Sequence, residues 1–555
     1  MDAAYSAKAV SLRSMAKVKH PSVTTGDSGL SMTGYGYHGQ GSHAAASTTD
    51  PAFRTWTPLA ASADADTLPD ITTLMSRARD ADRNNGVVHG ALQTYADNIV
   101  GHQLRLSAKP DYRLLGWDRE AAREWGNGVE SQFRTWAEEP EECDAAGQLT
   151  FLGLTLLMLR SAMLNGDALA VPLWEPEPHL KWSTRLMLIE SDRLATPPHL
   201  SANPLLRGGI EVNDKGKPQA YWILKSHPGD RYGLLQAGPN DYERIPAKTP
   251  WGRPRVIHLH DKERTGQSRG KPIFTAVMRQ FHLAGRYADA DLDATVANAM
   301  VLAFLESTLP AEEASRLFEE ERPFGAPKPG EAIPNAYFQK LRDYRPTLRS
   351  NTVVPVPPGA SLKFHQPTRP NAQFGAFMTA VYRHAAAGLN MPYELLLKDF
   401  SQTNYSSARA ALLEAWRYFL GRRRWLSDYW LRPCYKIWME EAVDKSRIAA
   451  PGFYDHQFAY TRASWVFAGR GWVDPGKEID AVEGRIRVGV TSRSMECAEQ
   501  GEDFEDVADQ RAYEKRYLQE RGLWEEPQAA TSKAPKAYAS DNEPSPKVDP
   551  PSEDA

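Results

Sequence analysis

The sequence predicts a mixed fold, mainly α with a smaller α/β region, and three observations carry that reading. Long stretches, most clearly 272–305 and 405–432, carry good helix formers or apolar side chains at helical spacing. Residues 168–260 instead hold short apolar runs between glycines and prolines, with Asn213-Asp214-Lys215-Gly216 as a hairpin turn between two of them. Both ends, 1–50 and 526–555, are rich in small residues or proline and follow neither period; they read as a flexible arm and a disordered tail.

Each element follows from local pattern. Thr67–Val100 reads as one helix closed at Gly101, and Gln148–Leu164 as a second, apolar nearly all round and therefore buried. Strands are expected at Leu186–Ile189, Ile210–Val212, Tyr221–Leu224 and Arg255–Leu259. Pro272–Leu305 is interrupted only by Gly285 and would make a rod of about 45 Å. Residues 306–370 are proline-rich, and VVPVPPGASLKF within them reads as two extended pieces around a turn. Helix resumes over Asn371–Leu389 and stops at Gly388-Leu389-Asn390-Met391-Pro392. A longer helix follows, capped at Ser406 or Ser407, with apolar side chains at 408, 412, 415, 419, 426 and 430.

Composition excludes several classes of protein. A chain of 555 residues predicts roughly two to four domains. With 66 Lys and Arg against 70 Asp and Glu, the surface is not built to grip nucleic acid by counterion release. Cys143, Cys434 and Cys497 are scattered, which argues against a disulfide scaffold or a structural zinc and for a reducing compartment. The longest apolar runs, 151–159 and 294–305, fall short of the roughly 18–20 residues that span a bilayer, and residues 1–19 lack a signal core. The chain reads as soluble and intracellular, with no membrane partner.

Catalytic chemistry has no address. His258, His260 and Asp261 could share a strand face, but nothing nearby completes a ligand set, so no metal is expected. Ser268-Arg269-Gly270-Lys271 lacks the glycine spacing of a phosphate loop. Glu312-Glu313 and Glu319-Glu320-Glu321 read as solvated faces. Arg422, Arg423 and Arg424 point about 100° apart on a helix, which suits separate ion pairs or interface contacts better than one phosphate patch. No catalytic residue and no cofactor are expected.

Four segments stand in a fixed order. Ser76-Arg77-Ala78-Arg79 is followed by Arg83-Asn84-Asn85 and Asn98-Ile99-Val100-Gly101; Leu389–Leu396 is followed by Asn404-Tyr405-Ser406-Ser407-Ala408-Arg409; Ala411–Glu414 runs into Trp416-Arg417; and Trp472-Val473-Asp474-Pro475 precedes Lys477-Glu478 and Gly489–Ser492. This set resembles the portal proteins of lambda-like tailed bacteriophages over roughly 51–525, most specifically in the NYSSAR and W-x-DP-x-KE segments.

The resemblance implies a portal-type fold of wing, stem helices, clip, long tunnel helix and helical crown. Mapped here, 51–274 would be the wing, 275–305 and 371–397 the stem helices, and 306–370 the clip. Residues 398–404 would be the tunnel loop, 405–440 the long helix and 441–525 the crown. The loop Lys398, Asp399, Phe400, Ser401, Gln402, Thr403 and Asn404 would line a DNA channel. The resemblance further implies a homo-oligomeric ring of twelve subunits at one capsid vertex of the virion, assembled in the host cytoplasm. Its implied partners are double-stranded DNA, the terminase large subunit, the major capsid and scaffold proteins, and the head completion or connector proteins. Two other classes stay open on the residues alone: a soluble nucleic-acid-processing enzyme with an unrecognised site, and a monomeric adaptor.

Overall fold

The computed structural model describes residues 44–47, 50–230, 238–299, 303–307, 360–364, 373–471 and 475–524. Two units are distinguished, 1–61 and 62–555. In the first, a short 3-10 turn spans Ala44–Ala46, and the rings of Phe53 and Trp56 stack at 6.1 Å. The second carries everything that follows.

Its first difference from expectation lies within 67–100. Two helices, Ile71–Asn84 and Gly86–Ile99, replace the single expected one. Asn85 separates them because its backbone is extended (φ −125°, ψ 109°) and its side chain accepts the N–H groups of Val87 and Val88 at 3.0 and 3.3 Å. A short amide acceptor that satisfies the orphan donors of the next helix competes successfully with continuing the previous one.

Strand β1 (Leu104–Ala108) leads to the Arg119–Ala137 helix and then to Phe151–Asn165, which is capped by Thr150 and closed by Gly166 at φ 91°. Gly166 and Gly270 lie back to back, and a Cβ on Gly270 would stand 1.8 Å from the Gly166 carbonyl oxygen. Ser268-Arg269-Gly270-Lys271 thus has a packing role here. Ser268 donates its N–H and hydroxyl to the Asp64 carboxylate, each at 2.7 Å.

The α/β region is built from two antiparallel sheets. In the first, β2 (Asp167–Trp174) lies between β3 (Thr184–Ile189) and β8 (Ile257–His260). The second orders β4 (Leu206–Arg207), β5 (Ile210–Val212), β6 (Pro218–Leu224) and β7 (Tyr242–Pro246). The expected Asn213–Gly216 turn joins β5 to β6, with Gly216 at φ 77°. One face of the first sheet packs into an aromatic core in which Phe133 meets Trp438 edge-on at 5.1 Å and Phe151 at 5.7 Å, while the second sheet shares a separate apolar cluster with Leu169, Val171 and Ile189.

The first rod is shorter than expected. It runs Met278–Ala299, and the residues placed at its end form β9 (Ala303–Ser307), antiparallel to β10 (Ala360–Phe364). Pairing with a strand more than fifty residues away overrides local helix propensity there. ASLKF is therefore extended as expected, although its partner is β9 rather than VVPV, which lies outside the described residues, as do 308–359. Phe374–Gly388 forms the second rod. Phe374 and Phe377 pack against Tyr287 of the first rod at 5.4 and 5.2 Å, and at its other end Gly388 admits Val277, whose Cγ1 a Cβ would meet at 2.5 Å.

Beyond a short helix, Tyr393–Leu397, comes the longest continuous helical run among the described residues: Tyr405–Leu426, a π-turn over Ser427–Leu431, and Arg432–Asp444. Ala415, Phe419, Leu426 and Trp430 of the predicted stripe are buried. Its cap is Asn404, whose side-chain oxygen accepts the Ser407 N–H at 2.9 Å; Ser406 contributes a hydroxyl to that oxygen instead of capping itself. The π-turn precedes Pro433, which has no N–H to donate, and the Arg432 N–H reaches back five residues to the Ser427 carbonyl.

The expected crown divides in two. Residues 445–471 pack into the main core through Ile448, Phe453, Tyr460 and Phe467, and β11 (Ala463–Phe467) pairs antiparallel with β1. Only after that do three peripheral helices follow, Pro475–Arg487, Arg493–Glu499 and Phe504–Glu520.

Candidate functional site

Lys398–Asn404 is an exposed, tightly turned link between two helices. Lys398 closes Tyr393–Leu397 in the left-handed conformation (φ 56°), and the N–H groups of Lys398 and Asp399 both reach the Glu394 carbonyl. Asp399 then accepts the Ser401 N–H at 3.0 Å, and hydrogen bonding from Ser401 holds its carboxyl below the ordinary value. Thr403 donates its N–H to the Phe400 carbonyl at 3.2 Å, and Asn404 starts the long helix. Among the loop residues, Lys398 through Gln402 and Asn404 are exposed, Phe400 included, and Thr403 is half-buried.

Rigid elements hold both ends of this loop. Upstream, Leu389, Met391 and Leu396 are buried. The Tyr95 hydroxyl, on the Gly86–Ile99 helix, donates to the Leu389 carbonyl, while the Tyr95 ring meets Phe419 of the long helix edge-on at 6.1 Å. Burial raises the Tyr95 hydroxyl well above its ordinary pKa, so it remains a neutral donor. One aromatic residue thus ties the chain before the loop to the chain after it.

The three arginines of the long helix part ways, as their spacing requires. Arg422 donates to Asp261 at 2.6 Å and lies over the Tyr418 ring at 5.0 Å. Arg423 closes the C-terminus of the Gly86–Ile99 helix by donating to the carbonyls of Asn98, Ile99 and Ala468 at 3.0, 2.9 and 2.7 Å. Burial brings its guanidinium down to about 10, still cationic at neutral pH. Arg424 pairs with Asp428 one turn on, at the surface.

The His258-x-His260-Asp261 donors disperse. His258 faces Asp167 at 3.4 Å, His260 stacks on His258 at 4.3 Å between ring centres, and Asp261 belongs to Arg422. Burial, reinforced by His258, pushes His260 down to about 3. No group of three or more His, Cys, Asp or Glu able to hold a metal occurs among the described residues. Nor is any helix among them long and apolar enough to cross a membrane.

Sequence motifs far apart converge on one small pocket. Asn98, Leu395, Arg409, Leu412, Trp416 and Glu478 border it, so all four segments of the sequence pattern contribute. Other motif residues lie apart. Arg77 and Arg83 are exposed on their helix, Asn84 donates to Asp80 at 2.7 Å, Asn85 is a cap, and Pro475 opens a helix. Ser406 and Ser407 sit in the first turn after Asn404. The Tyr405 side chain, Trp472 and Asp474 lie outside the described residues.

A sequence profile described as "Phage portal protein, lambda family" matches residues 49–423. The chain belongs to the lambda family of phage portal proteins. It is 29% identical to portal protein B of Escherichia phage lambda over 501 residues, covering 88% of this chain and 91% of that protein. To the portal protein of Escherichia phage N15 it is 29% identical over 519 residues, covering 91% and 95%. Among solved structures, a chain from the neck of an empty gene transfer agent particle aligns with a TM-score of 0.41 and 14% identity, covering 78% of this chain and 94% of that one. The family assignment rests on the sequence match. Portal proteins are structural components of the phage rather than an enzyme family.

Sequence reasoning missed two features of this region. The Tyr95 bridge and the Arg423 closure depend on residues some three hundred positions apart. Their only local trace is a buried-type tyrosine on an apolar helix face and an arginine on the inner side of the long helix.

Proposed function

We propose that this portal protein assembles as a closed ring at one vertex of the phage head and serves as the conduit for DNA during packaging and ejection. The carrying observation is that the chain matches portal relatives across nearly their whole length. The geometry supports this reading. The two rods pack through Tyr287, Phe374 and Phe377, and strands β9 and β10 on either side of the 308–359 sequence pair antiparallel. We assign the rods to the stem and 306–370 to the clip, where the terminase large subunit and later the head completion proteins dock. The loop Lys398–Asn404 is assigned to the channel, where Lys398 and backbone amides make sequence-blind phosphate contacts. Capsid and scaffold proteins meet the wing, and the site of action is the virion vertex after assembly in the host cytoplasm.

Electron micrographs of the purified protein test the reading directly. Closed rings without nuclease or ATPase activity are expected; monomers or two-fold dimers alone would remove it. Lys398→Glu is expected to leave folding and rings at wild-type level while shortening or destabilising packaged DNA. Unchanged DNA content would take the loop out of the channel. Deleting 315–350 is expected to spare rings and abolish terminase docking, and loss of rings would reassign that segment to the subunit interface.

A further inference from the structure

The second half of the long helical run, β11 and the Arg493–Glu499 helix surround an open groove of about 770 Å³. Six arginines line it, Arg423, Arg424, Arg432, Arg462, Arg470 and Arg485, against two carboxylates, Asp428 and Glu499. Four are already engaged: Arg423 with helix-end carbonyls, Arg424 with Asp428, Arg462 with Asp111 and Arg485 with Glu496. Arg432 lies over the Phe458 ring at 5.4 Å, and neither it nor Arg470 meets a carboxylate among the described residues. Phe458 and Met495 stand in the same groove, each 60% exposed. Arginine beside exposed aromatic and thioether side chains is the composition of a protein-binding surface; a phosphate track would leave those apolar groups uncovered.

The complementary charge is also present on the chain. Residues 502–509 hold Glu502, Asp503, Glu505, Asp506 and Asp509 with no basic residue among them. In their own copy they face Arg105 and Arg123, two cations for five carboxylates, and do not line the groove. Neighbouring Glu130 registers the surplus: burial first, and then Asp503, Glu505 and Asp506, raise its carboxyl to about 7 against one lowering hydrogen bond from Ala108. Asp506 and Asp509 lie three residues apart on the Phe504–Glu520 helix and so share a face. That helix buries none of its residues, although a lone helix of this length is marginal in water.

We propose that the arginine groove is a docking surface for a second copy of this chain, which presents the acidic start of its Phe504–Glu520 helix. The contact is heterologous, groove to helix, as ring closure requires, and it rests on the ring reading above.

Paired charge reversals test it. Arg432→Glu with Arg470→Glu, or Asp506→Arg with Asp509→Arg, should each lower the ring fraction in native mass spectrometry by about tenfold or more. Combining the two pairs should restore much of it. Rings at wild-type level in either pair, or no recovery in the combination, would overturn the proposal and leave the portal reading standing. Intact rings whose duplex binding has lost about two in its log–log salt slope would make the groove a phosphate site instead. A wild-type chain that stays monomeric would remove both readings. Where a reversal fails to fold, amide exchange on the wild-type protein decides. The Phe504–Glu520 helix should be protected in rings and exchange freely in dissociated monomer, and equal exchange in both overturns the proposal.

Discussion

The sheet region and the C-terminal helices of this portal protein treat charge and apolar surface in opposite ways. Around β2, Asp167 is fully buried, yet each carboxylate oxygen is matched: Arg269 donates to both, and His258 lies at 3.4 Å. The remaining Arg269 donors reach the carbonyls of Ser191 and Leu194 at 2.9 and 2.8 Å. From 475 to 524, in contrast, Glu496 is the one buried side chain, while Val488 and Val490 are about 70% exposed. The sheet region thus pairs its buried Asp167 carboxylate from within. The 475–524 segment instead leaves both valines of the link between its first two helices in water.

That contrast predicts where substitution hurts. The largest effect belongs to Asp167→Ala, which strands a buried guanidinium; a loss of about 3–5 kcal/mol is expected in denaturant unfolding. Burial alone would raise the Asp167 carboxyl, but Arg269 and the hydrogen bonds from His258 and Arg269 outweigh it and hold the group well below the carboxylate range. A depressed acid contributes stability that is complete above its unfolded value near 4 and is lost as pH falls below that. Acid unfolding of the wild type should therefore carry this loss, and the Asp167→Ala protein should lack it. If both proteins unfold alike below pH 4, the cluster is not the acid-sensitive element.

Glu130 should show a smaller effect of opposite sign. Its carboxyl is raised to about 7, so the folded chain holds a proton that the unfolded chain releases near 4.5, and stability falls as pH climbs between them. Glu130→Gln keeps an acceptor for the Ala108 N–H at 2.7 Å and should flatten that slope, gaining roughly 1–2 kcal/mol at pH 8. Thermal melts of the two proteins across pH 5–8 provide the measurement; parallel profiles would contradict it.

Tyr513→Ala marks the small end. Tyr513 is 56% exposed, so in the monomer the change should stay within about 0.5 kcal/mol. A larger loss there would mean that the peripheral helices are packed by their own copy, and the contrast would dissolve.

How much of this was legible in the sequence divides along the same line of distance. The Phe151–Asn165 helix, the Asn213–Gly216 hairpin and the buried stripe of the long helix depend on neighbours within a few residues, and period and turn chemistry reveal them. The break at Asn85 was readable too, since Asn-Asn-Gly is a cap and turn signal, but the flanking apolar period outweighed it. Pairing of β1 with β11 and of β9 with β10 had no local trace, because each strand's partner lies far along the chain. Loop 398–404 could be located between two helix signals. The Tyr95 bridge and the pocket where four motifs meet could not, because nothing near Tyr95 in sequence names Leu389 or Phe419.

The π-turn at Ser427–Leu431 bears on how such chains diverge. One extra residue wound into a helix turns everything beyond it by about 100°. Trp430, Tyr435 and Trp438 nevertheless reach the same aromatic core as Phe419 and Leu426 before the turn. A single-residue insertion accommodated in this way leaves both halves of the helix in their sockets. Comparing portal sequences with gaps confined to loops would then throw the two halves out of phase, and a relative one residue shorter here should carry an unbroken α-helix through the same stretch.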